Sequence, residues 1–163
     1  MINDATCLAP GHADEDWAAE VSVDLMGSVR MIRAALPRLR QSSCASALNL
    51  ASVSALHPTP MAPAYGAIEA ALAHLTRTEA LRLAPDGIRV DAVAPGAIES
   101  PDNLWGERRR ATDRGLDRKL ARTPFGRLAA AEEIAGAAVF LVSDQARWIS
   151  WQILFVDDES LTG

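Results

Sequence analysis

The sequence predicts an α/β fold with a parallel sheet and helices on both its faces. Three observations carry this: long segments of helical periodicity, short apolar segments of strand character between them, and turn residues at the junctions. A length of 163 residues, 49% of them hydrophobic and 23% charged, is enough for one buried core. No internal repeat, linker or low-complexity stretch interrupts it, so residues 1–163 are read as a single domain.

Residues 2–6 read as the end of a strand. Trp17, Val21, Leu25, Val29, Ile32, Leu36 and Leu39 then recur every three or four positions behind the acidic Asp14, Glu15 and Asp16, which predicts one long amphipathic helix over 14–39. Residues 47–51 read as a short buried strand, and Pro58, Pro60 and Pro63 force an irregular loop after it. Alanine and leucine dominate 64–83 and predict a second long helix, stopped by Pro85 and Gly87. Residues 88–94 alternate as a strand up to the turn at Pro95 and Gly96. The charged stretch 106–122, with Arg108, Arg109 and Arg110 among Glu107, Asp113 and Asp117, reads as a solvated helix or mobile flap. A third helix over 131–141 opens with Glu132 and Glu133, and 151–156 is a last apolar strand.

Composition excludes several function classes. A net charge of -5 argues against nucleic acid as a partner, because phosphate binding needs a basic face. The start lacks the basic flank and apolar stretch of a signal peptide, and no long apolar run exists, so a cytoplasmic protein with no membrane partner is expected. Cys7 and Cys44 are too few and too far apart for a disulfide framework or a paired-cysteine motif, and read as reduced, structural residues. His12, His57 and His74 form no zinc-ligand spacing, so no metal site is expected.

Several short signals stand in one order. They are Asn49-Leu50-Ala51-Ser52, Tyr65 at thirteen positions after Ser52, and Arg89-Val90-Asp91-Ala92-Val93-Ala94-Pro95-Gly96. Gly126-Arg127-Leu128, Glu132-Glu133-Ile134-Ala135, Phe140-Leu141-Val142-Ser143-Asp144 and Val156-Asp157 continue the series. Together they resemble the later two-thirds of the short-chain dehydrogenase/reductase family. The resemblance implies a Rossmann-like, doubly wound parallel sheet, truncated here and lacking the N-terminal dinucleotide-binding half with its glycine-rich turn. Ile2-Asn3-Asp4-Ala5-Thr6 looks like a changed form of the N-N-A-G sequence at that family's fourth strand.

The family's catalytic set is an asparagine, a serine, a tyrosine and a lysine. The resemblance assigns Ser52 and Tyr65 to it, but puts Glu69 at the lysine position and Asp24 at the asparagine position. The implied lysine holds the nicotinamide ribose and lowers the tyrosine pKa, and an anionic Glu69 would do the opposite. Trp151 replaces a glycine after the last turn, and Asp158 and Glu159 replace a glycine pair. These departures predict a chain that binds no nicotinamide cofactor.

Tyr65 and Glu69, four apart on a helix, share one face near the loop that carries Ser52. With Asp24, and His57 as an outside candidate, they suggest cofactor-independent acid/base chemistry on a small organic substrate: isomerisation, cyclisation or elimination. A competing structural reading makes Ser52 a strand-end residue, Tyr65 a helix-start aromatic and Glu69 merely exposed. Trp105 and Trp148 either line a pocket or pack, and His74 falls on the far side of its helix. Two further readings are a non-catalytic partner subunit of a complete dehydrogenase-like relative, and an oxidoreductase subunit completed by another chain. Under every one of these readings the resemblance implies a homodimer through helices 14–39 and 64–83, where Ala67, Ala70, Ala71 and Ala73 allow close packing.

Overall fold

The computed structural model describes residues 1–9, 11–101, 103–111 and 114–158; Asp113 and Glu159, named above, lie outside them. In chain order the elements are β1 (Ile2–Asn3), α1 (Asp14–Glu20), a π-helical turn (Val21–Leu25), α2 (Met26–Leu39) and β2 (Ser46–Leu50). Then come α3 (Pro63–Leu83), β3 (Arg89–Pro95), β4 (Ile98–Glu99), α4 (Leu104–Arg110), α5 (Arg114–Ala121), β5 (Ala129–Ala130), α6 (Ala131–Val142) and β6 (Ile153–Val156). The main sheet runs β1-β2-β3-β6 with every pair parallel, and β4 and β5 form a small parallel pair outside it.

Alternation along the strands sends successive side chains to opposite faces. On one face Ala47 and Val90 meet Ile32 and Leu39 of α2 and Ala80 and Leu83 of α3. On the other, Leu48 and Val93 meet Ile134, Ala138 and Leu141 of α6. The sheet is therefore wound on both sides, as the sequence predicted. No helix among the described residues is long and apolar enough to cross a membrane.

The predicted first helix is interrupted. At Val21–Leu25 the ladder widens, so that the Met26 N–H bonds back to the Val21 carbonyl. One extra residue in the turn rotates α1 about the helix axis relative to α2. Ile32 and Leu39 stay in the core, whereas Trp17, Val21 and Val23, which belong to the same apolar repeat or its flank, are exposed. Glu20 and Asp24 are instead the residues buried beside the turn. The charged stretch resolves into two helices, α4 and α5. The last strand begins only at Ile153, because Trp151 takes a left-handed φ of 71°, a conformation that suits glycine, while its N–H bonds to the Val90 carbonyl at 2.9 Å.

A chain of buried polar groups crosses the core. Asn3 Nδ2 donates to Ser28 Oγ at 2.5 Å and to Asn49 Oδ1 at 3.3 Å, and Ser28 Oγ donates to the Asp24 carbonyl at 2.6 Å. Asn49 Nδ2 in turn donates to Thr76 Oγ1 at 2.9 Å, which donates to the Leu72 carbonyl at 2.9 Å. These side chains satisfy one another where an unpaired polar group would cost stability.

Arg89 closes the other end of the sheet. Its guanidinium donates to the carbonyls of Leu141 (2.7 Å), Ser143 (3.2 Å) and Ile149 (3.3 Å) and pairs with buried Asp91 at 3.4 Å. It thus covers carbonyls left open where α6 ends. Replacing it leaves Asp91 a buried, uncompensated charge, so Arg89→Met lowers the unfolding free energy by about 3–5 kcal/mol. Urea titration of both proteins measures this; an unchanged midpoint means that the guanidinium does not hold this end together.

Candidate active site

Parallel strands end together, and the crevice beyond their carboxyl ends is where open α/β sheets bind ligands. Here β1, β2 and β3 end at a cleft of about 420 Å3. Asp4, Ala5 and Thr6 line it from the first strand, Ala51 and Ser52 from the second, and Pro95 and Gly96 from the third. Tyr65 and Glu69 complete one wall, and Ala131, Ile134, Ala135 and Ala138 of α6 form another.

Local chemistry positions each polar group. Ser52 caps the 3-10 turn Val53–Ala55, with its Oγ accepting the Ser54 N–H at 3.1 Å. Pro63 opens α3 at a position that needs no N–H, which puts Tyr65 in the first turn and Glu69 one turn later on the same face. Glu69 is only 4% exposed and its Oε2 has no hydrogen-bond partner, which rules out the reading of it as a surface residue.

Three of the four site residues predicted from sequence, Ser52, Tyr65 and Glu69, share the cleft wall; the fourth does not. Asp24 is buried behind it, where its Oδ2 accepts from the Thr6 hydroxyl at 2.7 Å and its Oδ1 from the Cys7 N–H at 2.9 Å. His57 does not line the cleft, and His74 is exposed on α3. Trp105 lies under the Arg108 guanidinium (5.2 Å) and the Lys119 ammonium (5.5 Å), and Trp148 is 98% exposed, so neither lines this cleft.

Sequence reasoning misses Glu20. It is fully buried, its Oε1 accepts the Ala9 N–H at 2.6 Å, and its Oε2 has no partner. The spacing of four between Glu20 and Asp24 is the available signal, and the helix turn hides it. Cys7, a structural residue by its sequence context, has its Sγ and one carboxylate oxygen each of Glu20 and Asp24 within 4.8 Å of one another.

Burial and neighbouring carboxylates raise the proton affinity of Glu69 and Glu20. Burial first, then the charges of Asp24 and Glu20, push Glu69 up to about 8, against a hydrogen bond with Tyr65 that pulls the other way. Tyr65 is held well above the usual phenol range by burial and by Glu69, with the Ser52 side chain opposing. Burial also raises Glu20, against the Ala9 N–H, and burial with Asp24 and Glu20 pushes the Cys7 thiol up to about 11. At neutral pH Glu69 is therefore mostly a neutral acid, not the anion that its residue type suggests.

A carboxyl with a raised folded-state pKa binds its proton more tightly folded than unfolded. The folded state is accordingly favoured most below the ordinary 4.5, and this preference is lost as pH rises from 4.5 through about 8. Glu69→Gln should flatten that part of the stability profile. Urea midpoints measured across the range check it, and an equally steep decline in the variant would assign the dependence to another group.

The family model described as enoyl-(acyl carrier protein) reductase matches residues 9–158. A 3-oxoacyl-[acyl-carrier-protein] reductase of Thermotoga maritima is 32% identical over 144 residues, which cover 88% of this chain and 56% of that protein. A 3beta-hydroxysteroid dehydrogenase of Eggerthella lenta is 37% identical over 148 residues, covering 88% and 54%. The crystal structure of an oxidoreductase from Burkholderia thailandensis, described as of the short-chain dehydrogenase/reductase family, superposes with a TM-score of 0.89 at 26% identity, over 99% of this chain and 64% of that one. The chain spans little more than half the length of these curated relatives. Their names overturn the expectation of cofactor-independent isomerisation, cyclisation or elimination, since both are redox enzymes. A loss of nicotinamide binding is not shown by these findings, and one of its premises, an anionic Glu69 beside Tyr65, is replaced by a carboxyl that burial keeps protonated.

Proposed function

Since the chain belongs to the short-chain dehydrogenase/reductase family, we propose that its cleft is the substrate side of an oxidoreductase that interconverts a carbonyl and a hydroxyl on a small organic molecule. The observation that carries this reading is the pairing of the Ser52 and Tyr65 side chains on the wall of the cleft beyond the strand ends.

A nicotinamide dinucleotide, when bound, supplies or removes the hydride. The residues facing the cleft suit its nicotinamide-ribose end. Ala5, Gly96, Ala131 and Ala135 keep the volume open, and Glu69 Oε2, buried without a partner, is free to bond a sugar hydroxyl. The substrate oxygen sits against the two hydroxyls. Ser52 polarises it, and Tyr65, which keeps its proton at neutral pH, gives that proton to the oxygen during carbonyl reduction, because an alkoxide is more basic than a phenolate. Glu69, one helix turn from Tyr65 on the same cleft wall and with its pKa pushed up to about 8, resupplies the proton. Burial thus keeps Tyr65 in the protonated form that carbonyl reduction requires.

The test is ketone-dependent oxidation of NADH or NADPH by the intact protein, with a 3-oxoacyl thioester and a 3-keto steroid as probes. Tyr65→Phe lowers kcat/KM by about two to four orders of magnitude with the circular dichroism unchanged. Unaltered turnover in that variant removes Tyr65 as the proton donor.

The same reading includes a homodimer through the long helices. Ala67 and Ala70 are exposed on α3, and Trp17, Val21 and Met31 on the α1–α2 segment are 39%, 40% and 47% exposed, so both helices present small or apolar side chains to solvent. Light scattering at micromolar concentration should give twice the chain mass, and Ala70→Arg should reduce it to one. A dimer indifferent to that arginine places the interface elsewhere.

A further inference from the structure

We propose that Cys7, Glu20 and Asp24 form a binding site for a divalent cation of the zinc class, independent of the redox reading. The donor atoms, one thiol sulfur and two carboxylate oxygens, already lie within 4.8 Å of one another, and they come from three places in the chain: the loop after β1, the end of α1 and the π turn.

Proximity of acidic groups alone would not carry this. The independent observation is Glu20 itself, fully buried, with an Oε2 that meets hydrogen-bond geometry with no neighbour while its carboxyl adjoins the Cys7 thiol and the Asp24 carboxyl. A buried polar atom without a partner costs stability, and more when charged, so its lone pair calls for a ligand. The remaining lone pairs are already committed in a way that aims the carboxylates. The Ala9 N–H holds Glu20 Oε1, while the Cys7 N–H and the Thr6 hydroxyl hold Asp24. Such outer hydrogen bonds orient the ligands of a metal.

The donor set selects the cation. A thiolate with two carboxylates suits zinc and its chemical neighbours better than magnesium or calcium, which take oxygen ligands. Three protein ligands leave a fourth position, and Cys7 lies at the surface, where an ion can reach it from solvent. The thiol proton goes to solvent as the sulfur–metal bond forms. Once bound, the cation ties the loop that lines the cleft at Asp4, Ala5 and Thr6 to the helix behind it.

The experiment uses the chain with Cys44→Ser, which removes the other thiol, stripped with a chelator and titrated with Zn2+ or Co2+. One equivalent of Zn2+ binds calorimetrically, and Co2+ develops a thiolate-to-metal charge-transfer band. Cys7→Ser, in an exposed loop, abolishes the band, and Glu20→Gln weakens Zn2+ binding by more than the roughly 10- to 100-fold that loss of an outer-shell partner costs. Circular dichroism of the metal-free variants confirms their folding. Absence of the band with Cys7 intact, or Zn2+ binding that survives both substitutions unchanged, overturns the proposal.

Discussion

The chain of hydrogen bonds from Asn3 through Ser28 and Asn49 to Thr76 is the constraint on which the cleft depends. Its members belong to β1, α2, β2 and α3, the elements that carry or flank every polar residue of the cleft wall. Apolar packing alone would permit helices to slide over a sheet lined with alanines. Fixed donor and acceptor positions permit one register, since any shift leaves a buried amide unpaired. The extension from Ser28 Oγ to the Asp24 carbonyl carries this fixing into the π turn.

Above that frame the site is dominated by carboxyl groups. Glu20, Asp24 and Glu69 are all buried, and their proximity disfavours charge on Glu20 and Glu69. Such a group of acids is stable only with its protons retained or with a positive charge near it. The cleft side meets this with the proton on Glu69. On the loop side the cluster is open to a cation at Cys7. The same burial that weakens Tyr65 as an acid suits it to protonating an alkoxide, so one desolvated pocket accounts for both properties.

Much of this is legible in the sequence. The apolar segments around Leu48, Val93 and Ile134 give the two-faced sheet, and the order of Ser52, Tyr65 and the Arg89–Pro95 strand gives the family. Ser52, Tyr65 and Glu69 come to one wall as expected, because a spacing of four on a helix is a geometric statement. Other features depend on the third dimension. Burial makes Glu69 a neutral acid, and burial cannot be read from the residue type. Asp24 belongs with the cleft by its place in a motif, yet it turns toward Thr6 and Cys7. Glu20 is hidden in an apolar-looking helix, because a regular 3.6-residue period conceals a turn that holds one residue more.

That widened turn has a genetic consequence. An α-helix advances about 100° per residue, so the single surplus residue in Val21–Leu25 sets the angular offset between α1 and α2. Deleting one of Val21, Ser22, Val23 or Leu25 would restore an unbroken helix with no change in helix-forming character and no breaker introduced. It would also swing Glu20 and Trp17 around the axis by about 100° relative to α2. The buried acid would move away from Asp24, and an exposed aromatic would move toward the core. The site is thus specified by the number of residues in the helix as much as by their kind, and aligned relatives that differ there by a one-residue gap would differ in this chemistry even where every named side chain is kept.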